Sequence, residues 1–376
     1  MTMIDETVLR REEEAKLRLR ALYRNYGYMP FKMSKFEEYD LYARNKDFLI
    51  SDSVITFTDT DGKLMALKPD VTLSIIKNSR TQPGQTRKMC YDENVYRISD
   101  STHAYREIPQ VGLECIGTID GYQQSEVVYL AARSLAELSR DYLIDVSHLR
   151  MLAGALTLVP GELHRHVLLA FAEKNADAIR AMNAKSEISE TAADTLIGLL
   201  SCDGMLTEVL PTLPALCVND TMREALQELC ELASALACDE DILSHLRLDF
   251  SVVNNMKYYS GIVFQGFVQG IPTSVLSGGR YDYLMRRMGQ SADAIGFAVY
   301  PELLQRLADD NTAAYDADVL LLYCTEDDPA AVCRAVRTLT EAGERVLTAH
   351  ERPEKMTFRR TVRIAQGGII ADETHD

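Results

Sequence analysis

Two strand-rich stretches, 48–120 and 248–300, flank a segment, 160–245, whose pattern is almost wholly helical. That order constrains the fold more than any other feature. A sheet built from both stretches has to close around an insertion, so its domain is discontinuous in sequence. The reading is a core formed by 1–159 and 246–310, a helical insertion at 160–245, and a small C-terminal α/β unit at 316–376. At 376 residues the chain is long enough for two or three domains and a large core.

Local signals fill in this frame. Residues 7–26 carry Ala15, Leu19, Leu22, Tyr23 and Tyr26 at helical spacing, and Gly27 is positioned to stop that helix. Residues 54–58 are β-branched and aromatic, 59–62 supply a turn, and 63–67 return as a second hairpin arm. A short helix closes at 75–78. Strands are expected at 88–96 and 106–117, joined by a polar tip at 99–105. A helix from 125 to about 140 and a buried strand at 142–146 follow. In the insertion, Thr221 and Glu224 have capping-box spacing ahead of a stripe of Met222, Ala225, Leu226, Leu229 and Ala233. The C-terminal unit has room for roughly one β-α-β unit: strand 319–323, helix 329–339 with Gly343 as its stop, and strand 345–348, with Gly367–Ile370 as an abbreviated end.

Composition excludes several classes. Hydrophobic residues at 47% and charged residues at 26% make an ordinary globular mixture, and no stretch approaches the roughly 20 apolar residues that span a bilayer. Residues 1–6 show neither a basic nor an apolar leader region, so a cytoplasmic setting without a membrane is expected. The eight cysteines are scattered with no C-x-x-C pair and read as small buried hydrophobes. The seven histidines form no ligand pattern, so neither a metal nor a cofactor is expected. A net charge of −16, with basic clusters no longer than Arg286-Arg287 and Arg359-Arg360, argues against nucleic acid as the main ligand.

The chemistry-bearing residues come in order along the two strand-rich stretches. Asp70 and Thr72 follow Pro69, which disfavours helix at Lys68 and fixes the chain direction there. A carboxylate with neutral acceptors beside it suits an ammonium group. Gln110 and Glu114, four apart on a strand, point to one face and can reach one cleft. Each alone is more often a surface or turn residue than a ligand. With Tyr258, Tyr259 and the run Gly278-Gly279-Arg280-Tyr281-Asp282 downstream, the balance reverses.

From about residue 8 to 305 this order resembles the catalytic core of histidyl-tRNA synthetase, a class II aminoacyl-tRNA synthetase. The resemblance implies an α+β fold: a mixed, mainly antiparallel sheet flanked by helices, with a helical insert and a small C-terminal α/β unit. It implies that Asp70, Thr72 and Gln110 hold the α-amino group of histidine. Glu114 and Tyr259, beside Tyr258, would contact the imidazole, and Arg97 matches the motif 2 arginine that touches the carboxylate and α-phosphate.

The departures fall at the nucleotide site. Asn254 stands where the family carries an arginine that steadies the transition state, and asparagine offers no positive charge to it. Ser99 replaces the acid that would read adenine, Ile108 the phenylalanine that would stack on it, and Leu303 the motif 3 arginine. Ser34 stands where motif 1 usually has proline. A phosphate beside Leu303 and Ile108 would lose solvation with little return. A kept fold with such losses resembles the regulatory subunit of ATP phosphoribosyltransferase, the partner of the short catalytic form that opens histidine biosynthesis. That family implies a non-catalytic subunit required for catalysis and for feedback inhibition by L-histidine, and a homodimer, built on residues 7–42, within a hetero-oligomer. The alternatives are a working histidyl-tRNA synthetase, a paralogue that activates an amino acid for another acceptor, and a scaffold that binds nothing small.

Overall fold

The computed structural model describes residues 9–46, 49, 54–79, 84–99, 102–253, 258–306, 315–365 and 368–373. The chain forms two compact units, Met1–Leu307 and Ala308–Asp376. No helix among the described residues is long and apolar enough to cross a membrane.

The first unit begins with α1 (Arg11–Asn25), which ends at Gly27 with φ +79°, a conformation costly for any side chain with a Cβ. Strand β1 (Met29–Pro30) follows, then β2 (Phe36–Glu38), α2 (Tyr39–Ala43), β3 (Thr56–Thr58), β4 (Leu64–Leu67) and α3 (Val71–Asn78). Strands β2, β4 and β3 make a separate three-stranded antiparallel sheet, so the expected hairpin over 54–67 has a third partner from earlier in the chain. Two long strands, β5 (Arg87–Ile98) and β6 (Tyr105–Gly117), pair antiparallel along their whole length. Helix α4 (Gly121–Leu138) starts four residues before the expected 125. Asp120 caps it by accepting from Tyr122 and Gln123 amides while the Gln123 side chain returns to the Asp120 amide, a capping box not read in the sequence.

Strand β7 (Tyr142–His148) and α5 (Leu149–Leu156) lead into α6 (His164–Ala172), α7 (Ala176–Ala184), α8 (Glu190–Ser201), β8 (Asp203–Met205), α9 (Leu206–Val209), α10 (Asp220–Leu236) and α11 (Glu240–Leu243). Two expectations change here. Helix α10 is capped by Asn219, whose side chain accepts from the Met222 amide at 3.0 Å, so no Thr221–Glu224 box forms; Glu224 instead pairs with Arg150. The insertion is also not purely helical. Strand β8 pairs antiparallel with β9 (Leu246–Asp249) and forms the edge of the main sheet. A three-residue Asp-Gly-Met strand has no alternation to betray it.

Strands β10 (Ile262–Val268) and β11 (Leu276–Arg280), helix α12 (Asp282–Arg287) and strand β12 (Asp293–Val299) complete the unit before a 3-10 turn at Pro301–Arg306. The nine-stranded sheet has the order β1-β5-β6-β12-β11-β10-β7-β9-β8, parallel at β1/β5 and β7/β9 and antiparallel elsewhere. One face packs under α1 and α4, burying Leu19, Tyr23, Val128 and Leu135 in one core with Leu113, Phe297 and Phe264, and α10 lies against α4 and α5. The other face meets α3 and α12 through Leu73, Ile75, Leu284 and Met285. This second face carries the cleft described below.

In the second unit, β13 (Ala317–Leu322), α13 (Pro329–Glu341), β14 (Val346–Ala349), β15 (Phe358–Ala365) and β16 (Gly368–Glu373) form a sheet of order β14-β13-β15-β16. Gly343 ends α13 at φ +86°. The unit is therefore larger than the single β-α-β expected: β15 adds parallel to β13, and β16 adds antiparallel to β15. The sequence hid β15 because its charged run, Arg359-Arg360, masks the strand. Both arginines pair with Glu344.

Candidate functional site

The cleft is floored by the middle of the main sheet. Register places Glu114 of β6 beside Gly296 of β12, and Gly296 beside Gly279 of β11; the adjacent row is Gly112, Ala298 and Ser277. These small residues leave the floor bare. A Cβ on Gly296 would lie 1.8 Å from Glu114 Oε2, and one on Gly279 would lie 2.8 Å from the Tyr259 ring, so the Glu114 carboxyl and the Tyr259 ring occupy the space those glycines leave. Glycine is needed here for close approach, not for backbone freedom.

The walls come from β5 and the β4–α3 turn. Asp70 caps α3, its Oδ1 accepting from the Leu73 amide at 2.8 Å. The same carboxylate lines the cleft, so one residue starts the helix and supplies the charge. Lys68, fully buried, pairs through Nζ with Glu93 Oε2 at 3.0 Å and ties the turn to β5. On β5, residues of odd number share a face; Tyr91 and Arg97 both line the cleft. Arg97 Nε donates to the Pro69 carbonyl at 3.0 Å, which aims the guanidinium over the turn.

All seven residues singled out from the sequence, Asp70, Thr72, Arg97, Gln110, Glu114, Tyr258 and Tyr259, line this one cleft. Sequence reasoning missed the roles of Tyr281, Tyr91, Ser277 and Tyr300. Tyr91 was legible by counting back from Arg97 in steps of two. Tyr281 was quoted in its motif without a partner, and the structure supplies one: its hydroxyl donates to Glu114 Oε2 at 2.5 Å, while Thr72 Oγ1 donates to Glu114 Oε1 at 2.9 Å.

Electrostatics make the cleft an unusual place for acid. Glu114 is 2% exposed, and burial pushes its carboxyl up to about 8 despite the two hydroxyl donors. Burial also raises Asp70, opposed by its backbone hydrogen bonds and by Arg97. The tyrosine hydroxyls of 258, 259 and 281 are all raised by burial and remain neutral donors. An acid pair, one cation and several hydroxyls around a bare floor suit a small zwitterion with a polar side chain. Among the described residues no group of His, Cys, Asp and Glu is arranged to hold a metal.

The four altered positions are not together. Ile108 and Leu303 line a second cavity, which shares Arg97, Tyr259, Ser277 and Tyr300 with the first. Ser99 lines neither. It sits at the β5–β6 tip, where its hydroxyl accepts from the Thr102 amide and its carbonyl from His103. Asn254 lies outside the described residues.

Comparison with known proteins identifies the fold and the family. Residues 4–304 match the family model described as histidyl-tRNA synthetase. A relative from Caldanaerobacter subterraneus subsp. tengcongensis, named ATP phosphoribosyltransferase regulatory subunit, is 30% identical over 76% of this chain and 75% of its own. A crystal structure from Bacillus halodurans, titled an ATP phosphoribosyltransferase regulatory subunit/histidyl-tRNA synthetase, superposes with TM-score 0.74 at 22% identity, covering 94% of this chain and 93% of that one. The ATP phosphoribosyl transferase (HisG:HisZ) complex from Thermotoga maritima gives TM-score 0.62 at 18% identity, covering 80% of this chain and 98% of that one. The fold is that of a class II aminoacyl-tRNA synthetase, and the chain belongs to the histidyl-tRNA synthetase-like family of ATP phosphoribosyltransferase regulatory subunits.

Proposed function

We propose that the chain serves a short-form ATP phosphoribosyltransferase catalytic subunit as its non-catalytic partner, is required for that subunit's activity, and transmits feedback inhibition by L-histidine bound in the cleft. The observation that carries this reading is the contrast between the two adjoining cavities. The first gathers every residue expected to hold histidine. The second carries Ile108, Leu303 and the carboxylate of Glu302 where a nucleotide would need cations and a stacking ring. Its one cation among the described lining residues is Arg97, shared with the amino-acid side. Supporting analogies are the names of the relatives and the two-protein complex from Thermotoga maritima.

In this reading histidine acts by differential affinity for two states of the assembly, with a coupling free energy typically of about 1–3 kcal/mol, or roughly 5–150-fold. The platform is a homodimer formed through the segment 7–42, as class II cores commonly dimerise there. The test is a steady-state phosphoribosyl-transfer assay of the short catalytic subunit with and without this chain, beside size-exclusion elution. Rate should rise from near zero on mixing, fall again with histidine, and the two chains should co-elute. Unchanged rate with separate elution would remove the function and leave the fold.

A further inference from the structure

The second cavity has a volume of about 350 Å³ and adjoins the first, since Arg97, Tyr259, Ser277 and Tyr300 line both. A ligand in the first cleft is oriented by charge. Its ammonium goes to Asp70, its side chain to Glu114, and its carboxylate to Arg97, the cation of the lining. The carboxyl end therefore lies at the junction, with the second cavity beyond it.

What that cavity offers is neither a phosphate site nor an unbroken apolar slot. Ile108, Val263 and Leu303 supply apolar walls, and Gln265, Thr273 and Ser274 supply neutral hydrogen-bonding groups. Glu302 contributes a half-buried carboxyl, raised by burial and opposed by Arg106 and Arg306. An anionic extension would meet that carboxylate, whereas a neutral amide finds both donors and acceptors.

We propose that the second cavity is a subsite for an uncharged, amide-like extension on the carboxyl side of the amino acid, so that the binding unit accepts a carboxyl-amidated histidyl compound as well as free histidine. This inference rests on the reading of the first cleft as a histidine site. Binding is bipartite: Asp70 and Glu114 hold the amino acid, Arg97 turns from carboxylate to the amide carbonyl, and the extension packs against Leu303 and Ile108.

Calorimetry on the full chain with L-histidine, L-histidyl-glycinamide and L-histidyl-aspartate tests it. The glycinamide should bind within about tenfold of histidine, and the aspartate compound about tenfold or more weaker than the glycinamide. Leu303→Trp in the 3-10 turn, or Ile108→Trp on β6 should the first not fold, fills the cavity; it should cost the glycinamide tenfold or more and leave histidine within about threefold. Histidine binding without glycinamide binding overturns this subsite alone, as does equal weakening of both ligands by a variant with a wild-type melt. Absence of histidine binding overturns the subsite together with the reading beneath it.

Discussion

The Tyr281 hydroxyl lies 2.5 Å from Glu114 Oε2, a hydrogen bond between residues 167 positions apart. With Thr72 on the other oxygen, the Glu114 carboxyl joins three segments of the chain: the start of α3, the C-terminal part of β6 and the junction of β11 with α12. The hydroxyls satisfy a buried acid before any ligand arrives. They also fix its direction over Gly296.

The acid should leave a signature in stability against pH. Because burial raises Glu114 from 4.5 to about 8, the folded chain keeps between those values a proton that the unfolded chain has lost. Stability then falls as pH rises through this window, by at most roughly 1.4 kcal/mol per pH unit from this group. Glu114→Gln keeps the shape and removes the titration. Urea unfolding across the window should give the variant a shallower decline and a relative gain at the alkaline end; parallel curves would show that Glu114 ionises normally.

Gly296→Ala should disrupt the same point by volume alone. The new methyl would sit 1.8 Å from Glu114 Oε2 and 2.5 Å from the Leu113 carbonyl, and backbone cannot yield there. Overpacking of this kind costs about 1–3 kcal/mol. The expected outcome is a lowered melting temperature with a larger proportional loss of histidine affinity. Gly161→Ala serves as a control, since nothing surrounds its Cβ position and its backbone is not in the left-handed region.

The Lys68–Glu93 pair should behave as a buried ion pair. Lys68 is fully buried, and desolvation lowers its pKa while Glu93 holds it charged. Removing one partner leaves a buried charge, so Glu93→Leu should cost about 3–5 kcal/mol, whereas the double change Lys68→Met with Glu93→Leu should recover much of that. Chemical denaturation of the two single variants and the double variant measures the difference. Additive losses would contradict coupling.

Histidine recognition has its own expectation. L-Histidine should bind more tightly than L-alanine, and Glu114→Ala should weaken it by on the order of 1–3 kcal/mol. Equal or absent heats for the two amino acids in calorimetry would refute the assignment of the cleft.

No histidine-dependent ATP–pyrophosphate exchange is expected from the pure protein. Leu303 and Ile108 line the cavity beyond Arg97, and Glu302 adds negative charge to it. Exchange above a no-enzyme control would restore the synthetase reading.

Much of this was legible in the linear sequence for a physical reason. Period-two alternation on β5 and β6 is local, so Gln110 and Glu114 could be placed on one face before any fold was known. Ordered motifs specify which segments meet, and Asp70, Thr72, Arg97, Tyr258 and Tyr259 did meet them in one cleft. Local signals failed where a neighbour decided the outcome. Asn219 outcompeted Thr221 for the α10 cap, and β8 became a strand because β9 offered an edge. Strand β15 formed under a charged run because Glu344 neutralises it.

By itself, then, the sequence determined the class of fold, the strands that carry the cleft and the residues that face it, since these depend on spacing along one segment. Only the tertiary structure decided what those residues do to one another. That Glu114 is held by Tyr281 and Thr72, that Gly296 must lack a Cβ, and that two cavities share Arg97 all arise from contacts between distant segments. Burial then sets the energetics, because desolvation of a carboxyl depends on everything packed around it and on nothing beside it in the chain.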